Sequence, residues 1–407
     1  MLSLHILLLL SACAKLVIGG TVERQGSSCV VHASEDGSDD APAILEAFDA
    51  CGSDGQILLQ DPLYHIESVM DTTGLNNVIV DITGTMLWGT NITYWRANGL
   101  ELGYLNMTTA WRFGGDNVTF NGHGVGTFDG NGQLWYDFTK GVSNLPGRPI
   151  SLMVTNTTSS HFDGIRFVQS QFWTMAIKNS VDVLFENIWI NSTSNSSQPA
   201  RNTDGVDVFF SDRITMRNWT VTGGDDNISM KANSTNILIQ DCTFHGGLGV
   251  AIGSIGQYEG VFERIENVTA ERITALKSRY AGYIKTWTGE VNGVPPNGGG
   301  GGLGYAKNIT FRDFVLENVT DSVARITQCT SFNGVTVDCN TSLFQISDIT
   351  WGPMTGSISS GTLAAMQCSR AAPCPGIEFV DFEEIETSGK RTISCSNIVD
   401  PEGFQCS

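Results

Sequence analysis

Short runs in which apolar and polar residues alternate recur along this chain, each beside an Asn or Asp. Examples are Asn117-Val-Thr-Phe-Asn-Gly, Val183-Leu-Phe-Glu-Asn-Ile-Trp-Ile, Ile214-Thr-Met-Arg-Asn-Trp-Thr-Val and Ile237-Leu-Ile-Gln-Asp-Cys-Thr-Phe. Alternation with a period of two over so few residues predicts strands with one face turned inward. Helical periodicity is confined almost entirely to Asp40 to Cys51, where Ala43, Leu45, Ala47 and Phe48 are expected to face a core.

Spacing turns these strands into an architecture. Runs beginning near 162, 183, 214, 237 and 265 are roughly 21 to 31 residues apart, the period of a solenoid whose turns bury their faces against one another. A β-sandwich, the alternative, has turn signals every ~8–12 residues. The longer period, with two strands and an Asn-rich corner in many units, predicts an all-β parallel β-helix. Composition is even, with no Pro/Ser-rich linker and 46 glycines spread from end to end. One elongated domain over residues 21–407 is expected, with the helical segment as a short N-terminal cap, the Cys-rich tail as the other, and a monomer as the result.

Before that domain, Leu2 to Cys13 is an apolar run followed by small residues such as Ala14, Gly19 and Gly20. Residues 1–20 are therefore predicted to be a signal peptide and the protein to be secreted, because the run falls short of the roughly 20 apolar residues that span a bilayer. No membrane association is expected. Thirteen Asn-x-Ser/Thr sequons, from Asn91 to Asn340, agree with a secretory route. So does the cysteine spacing: pairs 29–51, 329–339, 368–374 and 395–406 close small loops and leave Cys242 as a buried free thiol.

The net charge of −19 excludes nucleic acid as a partner, since phosphate binding needs a basic face. A polyanionic sugar is repelled less as carboxylates protonate, so an acidic working environment is expected. Gly298 to Gly302 is not a phosphate loop, since no Gly-Lys-Ser/Thr follows it. It reads as a loop near a ligand cleft.

Two segments concentrate carboxylates beside glycine, Asn202-Thr-Asp-Gly-Val-Asp and Gly223-Gly-Asp-Asp-Asn. Asp204 and Asp226 are 22 residues apart, about one turn, which places them on adjacent rungs roughly 5 Å apart. Crowded carboxylates cannot all ionise, and a protonated acid beside an ionised base is what glycosidic hydrolysis needs. Asp225 and Asp226 can both face one site only if the chain bends, which Gly223-Gly224 permits. Asx turns are the structural alternative, favoured for single residues such as Asp207 and Asp212. A calcium site is a lesser alternative.

The set Asn202-Thr-Asp204-Gly, Gly224-Asp225-Asp226, Gly247-Leu-Gly-Val-Ala-Ile-Gly-Ser254 and Tyr283-Ile-Lys285 resembles the polygalacturonase family, glycoside hydrolase family 28. The resemblance implies a right-handed parallel β-helix that hydrolyses galacturonan or rhamnogalacturonan with inversion, without metal or other cofactor. It implies Asp225 as general acid, and Asp204 and Asp226 as the pair that activates water. Asn202, Gln257, Tyr258, Tyr283, Lys285 and Trp287 are the expected substrate-binding residues, Trp287 by stacking on a sugar face.

Three positions depart from the family pattern: Leu248 stands for a histidine, Tyr283 for an arginine, and Asn227 for a cysteine. His245 need not reach the place of the missing histidine, and a glycan on the Asn227 sequon is expected to be absent because it would obstruct the cleft. The loss of both His and Arg resembles the rhamnogalacturonan-directed members of the family, and the stretches Gly247 to Tyr258 and Lys285 to Tyr305 resemble its fungal exo-acting members. The expected activity is release of terminal galacturonic acid from pectic chains, as by a galacturan 1,4-alpha-galacturonidase. The alternatives are an α-L-rhamnosidase acting on rhamnogalacturonan ends and a non-catalytic carbohydrate-binding relative.

Overall fold

The computed structural model describes residues 19–331 and 335–407. The predicted signal-peptide segment lies outside the described residues except for Gly19 and Gly20, and so does Cys13. Among the described residues no helix is long and apolar enough to cross a membrane.

The chain winds as a right-handed parallel β-helix, with 32 strands among the described residues hydrogen-bonded into one continuous assembly. A typical coil holds three strands where the sequence suggested two, as in Met175–Lys178, Val181–Glu186 and Trp189–Asn191. The third is only three residues long, too short for its alternation to be read.

Inward positions stack into continuous apolar columns. Phe120, Phe162, Phe185, Met216, Ile239, Ala270, Phe311, Trp351 and Phe379 are successive partners in register and all are buried. The Phe162 and Phe185 rings stack at 4.7 Å, adding ring contact to the area removed from water.

Asparagines at the corners explain the residue that recurs beside every run. Asn187, Asn218, Asn236, Asn267 and Asn308 have φ between 54° and 58°, a left-handed conformation that Asn tolerates better than most residues. Their side-chain amides bond from rung to rung, Asn267 to Asn236 at 2.9 Å and Asn308 to Asn267 at 2.6 Å.

The cap is the expected helix, Ala41–Cys51, tied by the Cys29–Cys51 disulfide. It buries Ile44 with Ala41, Ala43, Ala47 and Phe48, whereas Leu45 is only partly buried at its edge. The other three expected disulfides are present, and Cys242 is a buried free cysteine. Two short helices, Ile92–Asn98 and Gly132–Thr139, were not foreseen.

Candidate active site

One sheet carries the site. Its strands Met175–Lys178, Val206–Phe209, Ile228–Met230, Val250–Ile255, Tyr280–Trp287, Ser322–Thr330, Thr362–Gln367 and Thr392–Ser396 pair in parallel, in that order. Asp204 lies just before the second strand, and Asp225 and Asp226 just before the third, so consecutive coils bring the three together. Carboxylate oxygens from all three lie within 4.8 Å of one another.

The double glycine works by close approach. A Cβ on Gly224 would stand 2.0 Å from the Ala200 carbonyl oxygen, and one on Gly223 would stand 2.6 Å from that of Thr203. The chain therefore presses against the preceding coil as it bends, and the Gly224 N–H donates to Thr203 Oγ1 at 2.9 Å. Both aspartates then line one cavity of about 240 Å³ with Asp204.

The surroundings separate the three carboxyls. Asp226, 1 % exposed, accepts from Tyr283 Oη and from Lys285 Nζ at 2.9 Å, and Lys231 Nζ stands 3.8 Å away. Burial disfavours its charge, but Lys285, Lys231 and the tyrosine hydroxyl outweigh that and hold it below the usual carboxylate range. Asp225 is pushed up by burial and then by the Asp226 charge. Asp204 is pushed well up, by burial first and then by Asp225, Asp207 and Asp226. The surroundings thus favour the ionised form of Asp226 and the protonated forms of Asp225 and Asp204, and the three titrate jointly. The resemblance makes Asp204 half of a base pair; burial and the neighbouring carboxylates favour its protonated form.

A metal fits this set poorly. Both oxygens of Asp226 already accept hydrogen bonds from the protein, and two lysines supply the positive charge a cation would bring.

The expected binding residues divide by position. Asn202 donates to Asp225 Oδ2 at 3.2 Å and accepts from Ser143 Oγ and Asn144 N–H, so it orients the Asp225 carboxyl. Lys285 lines the cavity, and Tyr283 lies beneath it against Asp226. Gln257 lines it too, but its amide donates at 3.0 Å to the Pro296 and Gly298 carbonyls, fixing the glycine-rich loop as a wall. The Tyr258 hydroxyl accepts from the Leu105 N–H at 2.9 Å and its ring packs on Tyr104, outside the cavity lining. Trp287 is 1 % exposed, so its face is not available to stack on a sugar; its strand turns it into packing instead.

At the departures, Leu248 lines the cavity as an apolar wall and His245 is exposed on the surface. Asn227 is 1 % exposed and its Oδ1 accepts from the Gly249 N–H at 2.8 Å, a position no glycan could share.

Sequence reasoning missed Lys231, Asp207 and Arg148. Lys231, 5 % exposed, donates to the Gly253 carbonyl at 3.0 Å and stands 3.3 Å from Asp207 Oδ1. Asp207, read as a turn residue, is fully buried, and burial first among its causes raises its pKa to about 7. The alternation Ile228-Ser-Met-Lys231 could have revealed the lysine, since it puts Ser229 and Lys231 on the face opposite Ile228 and Met230. Arg148, 1 % exposed, feels Asp204 and Asp225, and burial lowers its pKa to about 10; no local signal announces it.

These features have relatives. The α-L-rhamnosidase rgxB of Aspergillus niger is 45 % identical over 90 % of this chain and 86 % of its own. An exopolygalacturonase of Cochliobolus carbonum is 34 % identical over 94 % of this chain and 85 % of its own. The crystal structure of endo-xylogalacturonan hydrolase from Aspergillus tubingensis superposes with a TM-score of 0.81 at 25 % identity, covering 93 % of this chain and 98 % of that one. The family model described as glycosyl hydrolases family 28 matches residues 74–406. With its aspartates gathered on a parallel β-helix and relatives along nearly its whole length, this chain belongs to glycosyl hydrolase family 28.

Proposed function

We propose that the protein is a secreted, monomeric, exo-acting pectin hydrolase that removes one terminal sugar at a time. The observation that carries this is a cavity walled at one end. Toward the N-terminal coils, Leu102, Leu105 and Met107 pack with Ile150, Trp173 and Phe209 over the outer face of the sheet. Asn297 Nδ2 meets the Asn144 carbonyl at 3.5 Å along another side. A chain end enters such a site, whereas the middle of a polymer is blocked. Four disulfides suit the oxidising route of an exported protein.

In this mechanism Asp226, held ionised by Lys285 and Tyr283, takes a proton from a water whose oxygen bonds to the anomeric carbon as the glycosidic C–O bond breaks. Asp225, aimed by Asn202 and kept protonated, gives its proton to the leaving glycosidic oxygen. Asp204 shares the remaining proton of the cluster. Carboxylate oxygens within 4.8 Å are closer than the ~6.5–9.5 Å that leaves room for water directly between acid and base. Inversion therefore rests on the family resemblance, and the anomeric configuration of the first product checks it.

The family resemblance makes galacturonic acid the released sugar. A second reading, rhamnose, has its own support: Leu105, Met107, Trp173 and Leu248 line the cavity, Lys285 is engaged with Asp226 and Lys231 with Asp207, and the rhamnosidase relative is 45 % identical. A panel of oligogalacturonides and rhamnose-ended rhamnogalacturonan oligosaccharides separates the two by the monosaccharide that appears. Early mixtures of mid-sized oligomers would contradict the exo reading.

A further inference from the structure

On the exo reading, with Leu105, Met107 and Trp173 walling the N-terminal side of the cavity, the rest of the substrate leaves over the C-terminal coils. The outward row there can be read rung by rung: Ser229 pairs with Ala251, Ala251 with Tyr283, and Tyr283 with Arg325. Each rung advances about 4.8 Å, so Arg325 stands one rung past the tyrosine that holds Asp226. Beside it Lys285 pairs with Thr327, and Thr327 with Gln367. Arg325, Thr327, Gln367, Ser394 and Ser396 line a groove on this face together with apolar residues such as Ala365 and Met366.

The charge of Arg325 is left uncommitted by the protein. Its guanidinium lies 5.7 Å from the Tyr280 ring centroid, and among the described residues it has no carboxylate within ion-pair distance. The nearby Asp321 is already answered by Arg279 at 3.2 Å. Arg325 is only partly exposed and shares the Tyr280 ring with Arg279, whose guanidinium lies 5.2 Å from its centroid. Tyr283, one rung back, offers a single neutral hydroxyl already given to Asp226. An arginine fork binds a carboxylate through two parallel hydrogen bonds, which neither the tyrosine nor a lysine can reproduce.

We propose that Arg325 is a substrate-binding residue whose guanidinium takes the carboxylate of an acidic sugar in the part of the chain that remains after the terminal sugar is removed. The assignment rests on the exo-hydrolase reading but not on which terminal sugar is released. In both cases the chain left behind contains uronates.

The test compares wild type, Arg325→Gln and Arg325→Lys on acid tetrasaccharides and on the same tetrasaccharides methyl-esterified, using whichever series the enzyme cuts. Charge-assisted hydrogen bonds to a carboxylate predict that Arg325→Gln raises KM about tenfold on the free acid, with kcat nearly unchanged. The ester should show little change, and Arg325→Lys should recover part of the loss. An unchanged KM, or an equal rise on acid and ester, overturns the proposal. Unaltered melting temperatures show that the variants fold; if Arg325→Gln does not, the acid-versus-ester split in Arg325→Lys decides alone. Should wild type release nothing from any substrate, the hydrolase reading fails by itself. Binding of the acid tetrasaccharides to Asp225→Asn, with and without Arg325→Gln, then decides the arginine: about tenfold weaker binding supports it, and equal binding overturns it.

Discussion

Lys231 holds the electrostatic balance of the site. It sits between Asp207 at 3.3 Å and Asp226 at 3.8 Å, so replacing it removes charge that keeps Asp226 ionised. Lys231→Met is expected to raise the pKa of Asp226 and move the acidic limb of the kcat/KM profile to higher pH; an unmoved limb would show that Lys285 alone suffices. Asp207 gives a stability prediction whose sign follows from linkage. Its carboxyl titrates near 3.8 when free and at about 7 in the fold, so between these values the native state binds the extra proton. Stability contributed by this group is greatest below the free value and falls as pH rises toward 7. Asp207→Asn should therefore lose less melting temperature than wild type between about pH 5 and about pH 8. At this scale the three aspartates were legible because one turn separates them and glycine flanks them. Lys231 and Asp207 were less so, since their meaning depends on which face of a short strand they occupy. Trp287 misled because a tryptophan beside a site lysine reads the same whether it faces the cleft or the packing.

Among the elements, the loop through Leu102, Leu105 and Met107 walls the cavity, and on the proposed exo reading it sets what can enter. It is anchored by the Tyr258 hydroxyl on the Leu105 N–H and by the Tyr104 hydroxyl on Glu263 Oε1 at 2.6 Å. Shortening this loop is expected to open the N-terminal end and let internal bonds reach Asp225, so oligomers should join the monosaccharide among early products. A product pattern unchanged by the shortening would mean that other walls set the exo mode. The strands themselves could be read from alternation and from Asn at the corners, because each corner demands a left-handed residue. The third strand of each coil and the two later helices could not, being too short to display a period. Nor could the loop closure, which joins residues 153 positions apart at Leu105 and Tyr258.

Taken whole, the molecule is an acidic rod with a net charge of −19 and a pI near 4.6. At neutral pH it repels a polyuronate, and the repulsion fades as pH approaches the pI. The site favours the same range: Asp226 must be ionised and Asp225 protonated, so kcat/KM should be bell-shaped, lying between the lowered pKa of one and the raised pKa of the other. Architecture and acidity were open to inspection in the composition and the solenoid period. The one-ended cavity was not, because it is made by contacts between distant coils. The most direct test of the central claim is a time course of products from pectic oligosaccharides at acidic pH, run with wild type and Asp225→Asn. Wild type is predicted to release a single monosaccharide from the first time point, while Asp225→Asn keeps its melting temperature and loses about 10²–10⁴-fold in rate. Mid-sized oligomers as first products, or an Asp225→Asn variant nearly as fast as wild type, would contradict it.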